Sequence, residues 1–198
     1  MKNINYFFQF LFSMIFFLFF KILGANLASK LSGKLFEVIG PYFRSKEIIH
    51  SNIKKALPEI GSNDLKRMTN AMWNNYGRIF AEYIFIKDYR SGNLSSFIDI
   101  DGKEILDDIK KTDKQVVFIS GHLSNFELMA MYLERSGIKL SAIYRPLNNF
   151  FLNNFIERIR VNYICKHQIK KGIGGLKKLI NLKKKKFSTA LMIDQRVS

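Results

Sequence analysis

The sequence predicts an α/β protein in which an N-terminal membrane anchor helix and membrane-proximal helices precede a mainly parallel sheet flanked by helices. Three observations predict it. Residues Ile4 to Leu23 are almost continuously apolar, and a helix needs about 20 such residues to cross a bilayer. Beyond Phe97, short apolar runs of strand type alternate with amphipathic stretches of helical period, the pattern of helices covering a parallel sheet. A chain of 198 residues that is 47% hydrophobic can bury one sizeable core, which excludes a disordered tail or a disulfide mini-protein. The single cysteine, Cys165, excludes an intrachain disulfide and any multi-cysteine metal cluster. A formal net charge of +16 predicts an anionic partner: nucleic acid, an acidic membrane or a phosphorylated substrate.

The apolar run is interrupted only by Asn5, Gln9, Ser13 and Lys21. It is Phe-rich on every face, unlike an ordinary amphipathic core helix. A cleaved signal peptide is the competing reading, with Lys2 as a basic start, but Gly24-Ala25-Asn26-Leu27-Ala28 is a mediocre cleavage site. We therefore expect a retained anchor over residues 1–28 and an α/β domain over residues 29–198. Lys21 near the end of the run and Lys30, Lys34, Arg44 and Lys46 beyond it have Glu37 as the one acid among them, which places the body on the cytoplasmic side.

The remaining elements follow in order, with the membrane-proximal helices giving way to the body near residue 45. Helical spacing over Lys46–Leu57 stops at Pro58. Ser62-Asn63-Asp64 offers caps for a helix reaching about Lys87, with Leu65, Met68, Met72, Ile79, Phe80 and Tyr83 on one face. Ser91-Gly92-Asn93 is a turn. We then expect strand Phe97–Ile100, helix Lys103–Lys110, strand Gln115–Ser120 and helix Asn125–Arg135. Strand Lys139–Tyr144, helix Asn148–Val161, a short strand near Tyr163–Ile169, helix Ile173–Leu182 and strand Ser188–Ile193 complete the alternation. The chain stops five residues past that strand. A buried strand rarely ends a domain without a covering helix, so we expect a chain truncated at its C-terminus.

Chemistry concentrates in Ser120-Gly121-His122-Leu123-Ser124-Asn125-Phe126-Glu127, where a buried strand hands over to a helix. On one continuous helix His122 and Glu127 would point about 140° apart. They cooperate only if His122 lies in the preceding turn, where Gly121 permits an unusual backbone angle. Glu127 would then fix one ring nitrogen and leave the other to take a proton from a substrate nucleophile. The plainer reading is a capping box, Ser124-x-x-Glu127, with Glu127 bound to backbone. Arg145 is either a clamp for phosphate or carboxylate or a solvated residue beside Pro146. Cys165 lies among cations without a nucleophile motif, and His50 and His167 read as surface residues.

Several segments together carry a resemblance. Gly121-His122-Leu123-Ser124-Asn125-Phe126-Glu127 resembles the G-H-x-x-N-[WF]-E form of the H-x4-[DE] acyltransferase signature. Ile143-Tyr144-Arg145-Pro146-Leu147-Asn148-Asn149 resembles the Y-R-P-x-x-N segment of the bacterial lipid A biosynthesis acyltransferases, and Met192-Ile193-Asp194-Gln195 their strand ending in D-Q. Trp73-Asn74-Asn75-Tyr76-Gly77-Arg78 with Ala81-Glu82 is similar to their upstream helix. Order and spacing agree from the anchor to Gln195. Two departures stand out: the family's Pro-Phe-Phe-Gly segment after D-Q is absent, and Phe126 stands where Trp is common. The related glycerolipid acyltransferases usually carry Asp as the acid and an E-G-T-R block, neither of which appears here.

The resemblance implies an acyltransferase-like fold and transfer of a fatty acyl group from acyl carrier protein to a hydroxyl of a lipid A precursor, at the cytoplasmic side of a bacterial inner membrane. It implies His122 as base, Glu127 as its orienter, and Asn125, Arg145, Asp194 and Gln195 as substrate-binding residues. It implies no metal and no organic cofactor. Acceptors such as a phospholipid or glycolipid, and an inactive fragment of the same fold, remain as alternatives.

Between Arg158 and Lys186 there are eleven Lys or Arg and no acid. This run is a solvated face, a collar for anionic headgroups, or a dock for an acidic carrier protein or phosphorylated saccharolipid. Nucleic-acid binding is not expected, because the aromatics sit mainly in the anchor and are not interleaved with the cations. Gly172-Ile173-Gly174-Gly175 lacks the acid about 20 residues on that a dinucleotide fingerprint needs.

Overall fold

The computed structural model describes residues 2–194. Helix α1 (Lys2–Leu23) carries the apolar run and is long and apolar enough, by length and composition, to cross a membrane. The chain forms two compact units: Met14–Phe85, and the residues up to Ser13 together with those from Ile86 on.

The first unit is helical. The second half of α1 is followed by α2 (Ala25–Ile39), α3 (Lys46–Ala56) and α4 (Ser62–Glu82). Ser45 caps α3 and Pro58 stands just beyond it. Helices α2 and α4 pack closely because small residues meet at the seam. A Cβ on Gly77 would come within 2.3 Å of the Ser32 carbonyl oxygen, so only glycine lets the backbones approach this far. Polar side chains stitch the same seam: Ser29 Oγ donates to Glu82 at 2.8 Å, and Asn74 Nδ2 donates to Glu37 at 2.6 Å. The motif Trp73 to Arg78 with Ala81-Glu82 thus joins α4 to α2. The helix expected to reach Lys87 instead ends at Glu82 and passes through a 3-10 turn, Tyr83–Phe85.

The second unit is the α/β body. Its helices are α5 (Ile86–Ser91), α6 (Lys103–Thr112), α7 (Glu127–Arg135), α8 (Phe150–Ile159) and α9 (Ile173–Lys184). Its strands are β1 (Val117–Ser120), β2 (Leu140–Tyr144), β3 (His167–Lys170) and β4 (Ser188–Met192). They form a parallel sheet of order β1-β4-β2-β3. The mainly parallel α/β architecture expected from the alternation is therefore present.

Two expected strands differ. Of the expected strand Phe97–Ile100, Phe97 closes a 3-10 turn and the rest is irregular chain, and the strand near Tyr163–Ile169 shrinks to β3 because Arg160–Ile164 continues α8 as a π turn. His167, expected at the surface, lies half-buried in β3 against the Phe187 ring, and desolvation lowers its pKa. His50 is also half-buried.

Candidate active site

In a parallel sheet all strands deliver their C-terminal ends to one edge, where open α/β proteins form their sites. β1 delivers His122, β4 Asp194, β2 Arg145, and β3 Lys170 and Lys171. Register decides which of these meet. Ser120 pairs with Met192 across β1 and β4, so the residues two positions further on, His122 and Asp194, face each other.

They are bonded twice. The His122 backbone N–H donates to Asp194 Oδ2 at 2.8 Å, and Nδ1 lies 2.7 Å from Oδ1. That backbone N–H, and next the ring, hold the Asp194 carboxyl below the usual carboxylate range. Phe126 stands edge-on to the imidazole at 4.6 Å between ring centres. An aromatic residue at this position therefore buttresses the His122 ring, a task open to Phe as well as Trp.

Glu127 is placed differently from the expectation. It does not hold the His122 ring, whose Nδ1 is taken by Asp194; its Oε1 accepts from Arg160 Nε at 2.8 Å and Nη2 at 2.6 Å. Both side chains are nearly buried. The physical reason is the turn. Ser124 adopts a left-handed backbone with φ of 45° and α7 begins only at Glu127, which aims the carboxylate toward the π turn carrying Arg160. The capping box does not form either: Phe126 occupies the cap position with no side-chain cap bond. Nor does Gly121 take a left-handed angle; that conformation falls on Ser124.

Among the other expected residues, Arg145 lines the cavity beside His122 and has no ion-pair partner among the described residues. Asn125 sits in the β1–α7 turn, where its carbonyl accepts from the Leu128 N–H at 3.1 Å, and it is not part of the cavity wall. Gln195 lies outside the described residues. Sequence reading missed Arg160, which contributes to the cavity wall and whose guanidinium also stacks over the Tyr144 ring at 5.4 Å. Its position in a basic run gave no sign that it was paired with Glu127.

The cavity has a volume of about 740 Å³. His122, Arg145, Arg160, Lys170 and Lys171 supply cationic or titratable groups, while Ala130, Ile143, Leu147, Ile169, Leu176, Leu179 and Leu191 supply apolar wall. Burial, with Glu157 nearby, pushes the Tyr144 phenol up, so it stays protonated. None of the described lining residues is Ser, Thr or Cys. Cys165 is elsewhere, buried, with its thiol directed to the Leu140 carbonyl and its pKa pushed up to about 11, chiefly by burial.

A histidine with one nitrogen fixed by a carboxylate, in a cationic and apolar cavity whose described lining holds no Ser, Thr or Cys, suits group transfer to a hydroxyl that a substrate brings. The family of bacterial lipid A biosynthesis acyltransferases matches residues 2–198, and the chain belongs to it. The protein is an acyltransferase of lipid A biosynthesis. No curated protein matches the chain.

Proposed function

We propose that this membrane-associated enzyme moves a fatty acyl group from an acyl carrier protein thioester to a hydroxyl of a lipid A precursor, with His122 as general base and Asp194 as its orienting carboxylate. The observation that carries this reading is the His122–Asp194 pair at the cavity wall. With Nδ1 held by Asp194, Nε2 is the nitrogen left to accept the acceptor's hydroxyl proton. The hydroxyl oxygen attacks the thioester carbonyl carbon, and the resulting oxyanion collapses to expel the carrier thiolate. The imidazolium returns its proton to that sulfur. Asp194 stabilises the imidazolium between these steps, the part that the acid plays in a catalytic triad.

Arg145 is assigned to the acceptor's phosphate or to the oxyanion, because its planar fork suits either. The thioester is already activated, so the step as written calls on no metal or organic cofactor. Glu127 is assigned to holding Arg160 in the cavity wall. Asn125 shapes the β1–α7 turn, and Gln195 retains the substrate-binding role that the D-Q resemblance gives it. Net charge and α1 support docking at the cytoplasmic side of an anionic inner membrane and recognition of an acidic carrier protein.

The test offers purified full-chain enzyme an acyl carrier protein thioester with either a phosphorylated glucosamine lipid or a lysophospholipid. We expect faster acylation of the glucosamine lipid, and Arg145→Lys should raise its KM, since a point charge does not replace a bidentate contact. Preference for the lysophospholipid, with Arg145→Lys indifferent, would favour a phospholipid acceptor instead.

A further inference from the structure

Helix α1 is 22 residues long, about 33 Å at 1.5 Å per residue, so length alone permits it to cross a bilayer. Its packing argues otherwise. Each half of the helix packs one face on the unit to which it belongs. In the α/β unit, Asn149 at the start of α8 donates through Nδ2 to the Tyr6 carbonyl at 2.8 Å and to Gln9 Oε1 at 3.1 Å, and Phe7 and Phe10 lie on Phe151. In the helical unit, Phe17 and Phe20 are 3% and 1% exposed and pack on Phe80 of α4.

The helices that cover this face are charged. Glu82 stands two residues beyond Phe80, and Glu157 and Arg158 follow within two turns of Phe151. Bilayer cannot surround α1 without drawing those charges to hydrocarbon depth, which is costly.

The opposite face is bare. Ile4, Phe8, Leu11, Ile15, Leu18 and Ile22 are 44–78% exposed and recur at helical spacing. On a wheel of 3.6 residues per turn they fall within an arc of about 100°. Lys2, Asn3, Asn5, Gln9, Ser13 and Lys21 all fall outside it. A helix with one wholly apolar face, and cations beside the other, is the form that lies in a membrane surface.

We propose that α1 lies in the plane of an anionic membrane, its bare face sunk into one leaflet, and does not cross the bilayer. The occupant is lipid because Lys2 and Lys21 stand near the two ends of the helix, outside the bare face, on a chain of net charge +16, complementary to anionic headgroups. The arrangement also bears on the site. In the α/β unit the start of α8, on which the first half of α1 rests, directly follows Pro146, Leu147 and Asn148 of the cavity wall. An in-plane α1 therefore sets that wall at the lipid surface, where an amphiphilic acceptor enters without leaving its leaflet.

The inference rests on the membrane-associated reading above, and the experiment separates the two. Single variants Ile4→Cys, Leu11→Cys, Leu18→Cys and Ile22→Cys, with Ser13→Cys on the covered face, are labelled with a fluorophore. Buried Cys165 stays unlabelled. The full chain is bound to vesicles of phosphatidylcholine and phosphatidylglycerol containing lipids brominated at defined depths. We expect the four bare-face labels to be quenched at one common shallow depth, about 5–10 Å below the headgroups, and Ser13→Cys to be unquenched. Depth that rises to the bilayer centre at Leu11→Cys and falls again at Ile22→Cys means a spanning helix and overturns this inference alone. Absence of quenching at every position overturns it together with the membrane reading.

Discussion

At the residue scale two carboxylates make two different contacts, Asp194 with His122 and Glu127 with Arg160. Asp194 holds the His122 ring, and on the proposed mechanism its Asn variant should lower kcat by about 10²–10⁴-fold, the usual worth of general-base catalysis, with little change in KM. Stability gives a second readout. The Asp194 carboxyl is held below its ordinary value by the His122 backbone N–H and then its ring. A depressed folded-state value contributes stability above the unfolded carboxyl's pKa of about 3.9. That contribution is lost as pH falls through the folded value. Urea midpoints of the wild type and Asp194→Asn should therefore differ at neutral pH and converge under acid. Glu127 makes a nearly buried pair with Arg160, and removing one partner of such a pair costs about 3–5 kcal/mol. Glu127→Gln should accordingly lower the unfolding midpoint by an amount of that order, measured by urea titration, as well as reduce turnover. Cys165, buried and with a thiol pKa of about 11, should resist alkylation at pH 8 until the chain is unfolded.

At the element scale the strongest prediction is Gly77→Ala. Its Cβ would meet the Ser32 carbonyl oxygen at 2.3 Å, and neither helix backbone can give way without parting the seam. Overpacking of this kind costs about 1–3 kcal/mol, measurable by thermal or urea unfolding, while Gly61→Ala, in open space, should be near neutral. Most elements were legible because their signals are local: Ser45 and Pro58 bracket α3, Asn149 caps α8 through the Phe151 and Leu152 N–H groups, and apolar runs mark β1, β2 and β4. Phe97–Ile100 failed as a strand because Phe97 closes a 3-10 turn and residues 98–100 run as irregular chain outside the sheet. Tyr163 and Ile164 failed as strand because the π turn Arg160–Ile164 carries the same residue types as a strand of alternating pattern. Helix period alone also hid the division of labour along α1, since Phe on every face does not show which face is covered.

At the scale of the whole molecule the site was half legible. His122 stood out locally, at the end of a strand and before a helix. Its true carboxylate lies 72 residues away and reaches it only because β4 inserts beside β1, an order that no local pattern encodes. Glu127 was singled out as the orienter of His122, but it bonds Arg160, which is likewise brought in from distant chain. The basic run is also divided by the fold. Lys170 and Lys171 line the cavity, whereas Lys183 to Lys186 immediately precede β4, at the opposite edge of the sheet. Replacing Lys183 to Lys186 by Gln should thus leave acceptor KM nearly unchanged, while Lys171→Gln should raise it. Raising salt should weaken acceptor use in the wild type more than in Lys171→Gln.

The central claim is that His122 deprotonates the acceptor hydroxyl for direct acyl transfer. The most direct measurement follows a radiolabelled acyl group from carrier thioester to the phosphorylated glucosamine lipid, using wild type and His122→Ala of equal circular dichroism and unfolding midpoint. The account predicts a loss of about 10²–10⁴-fold in turnover for His122→Ala, with no label retained covalently on either protein. Near-normal turnover in the variant, or label trapped on the wild-type chain, would contradict it.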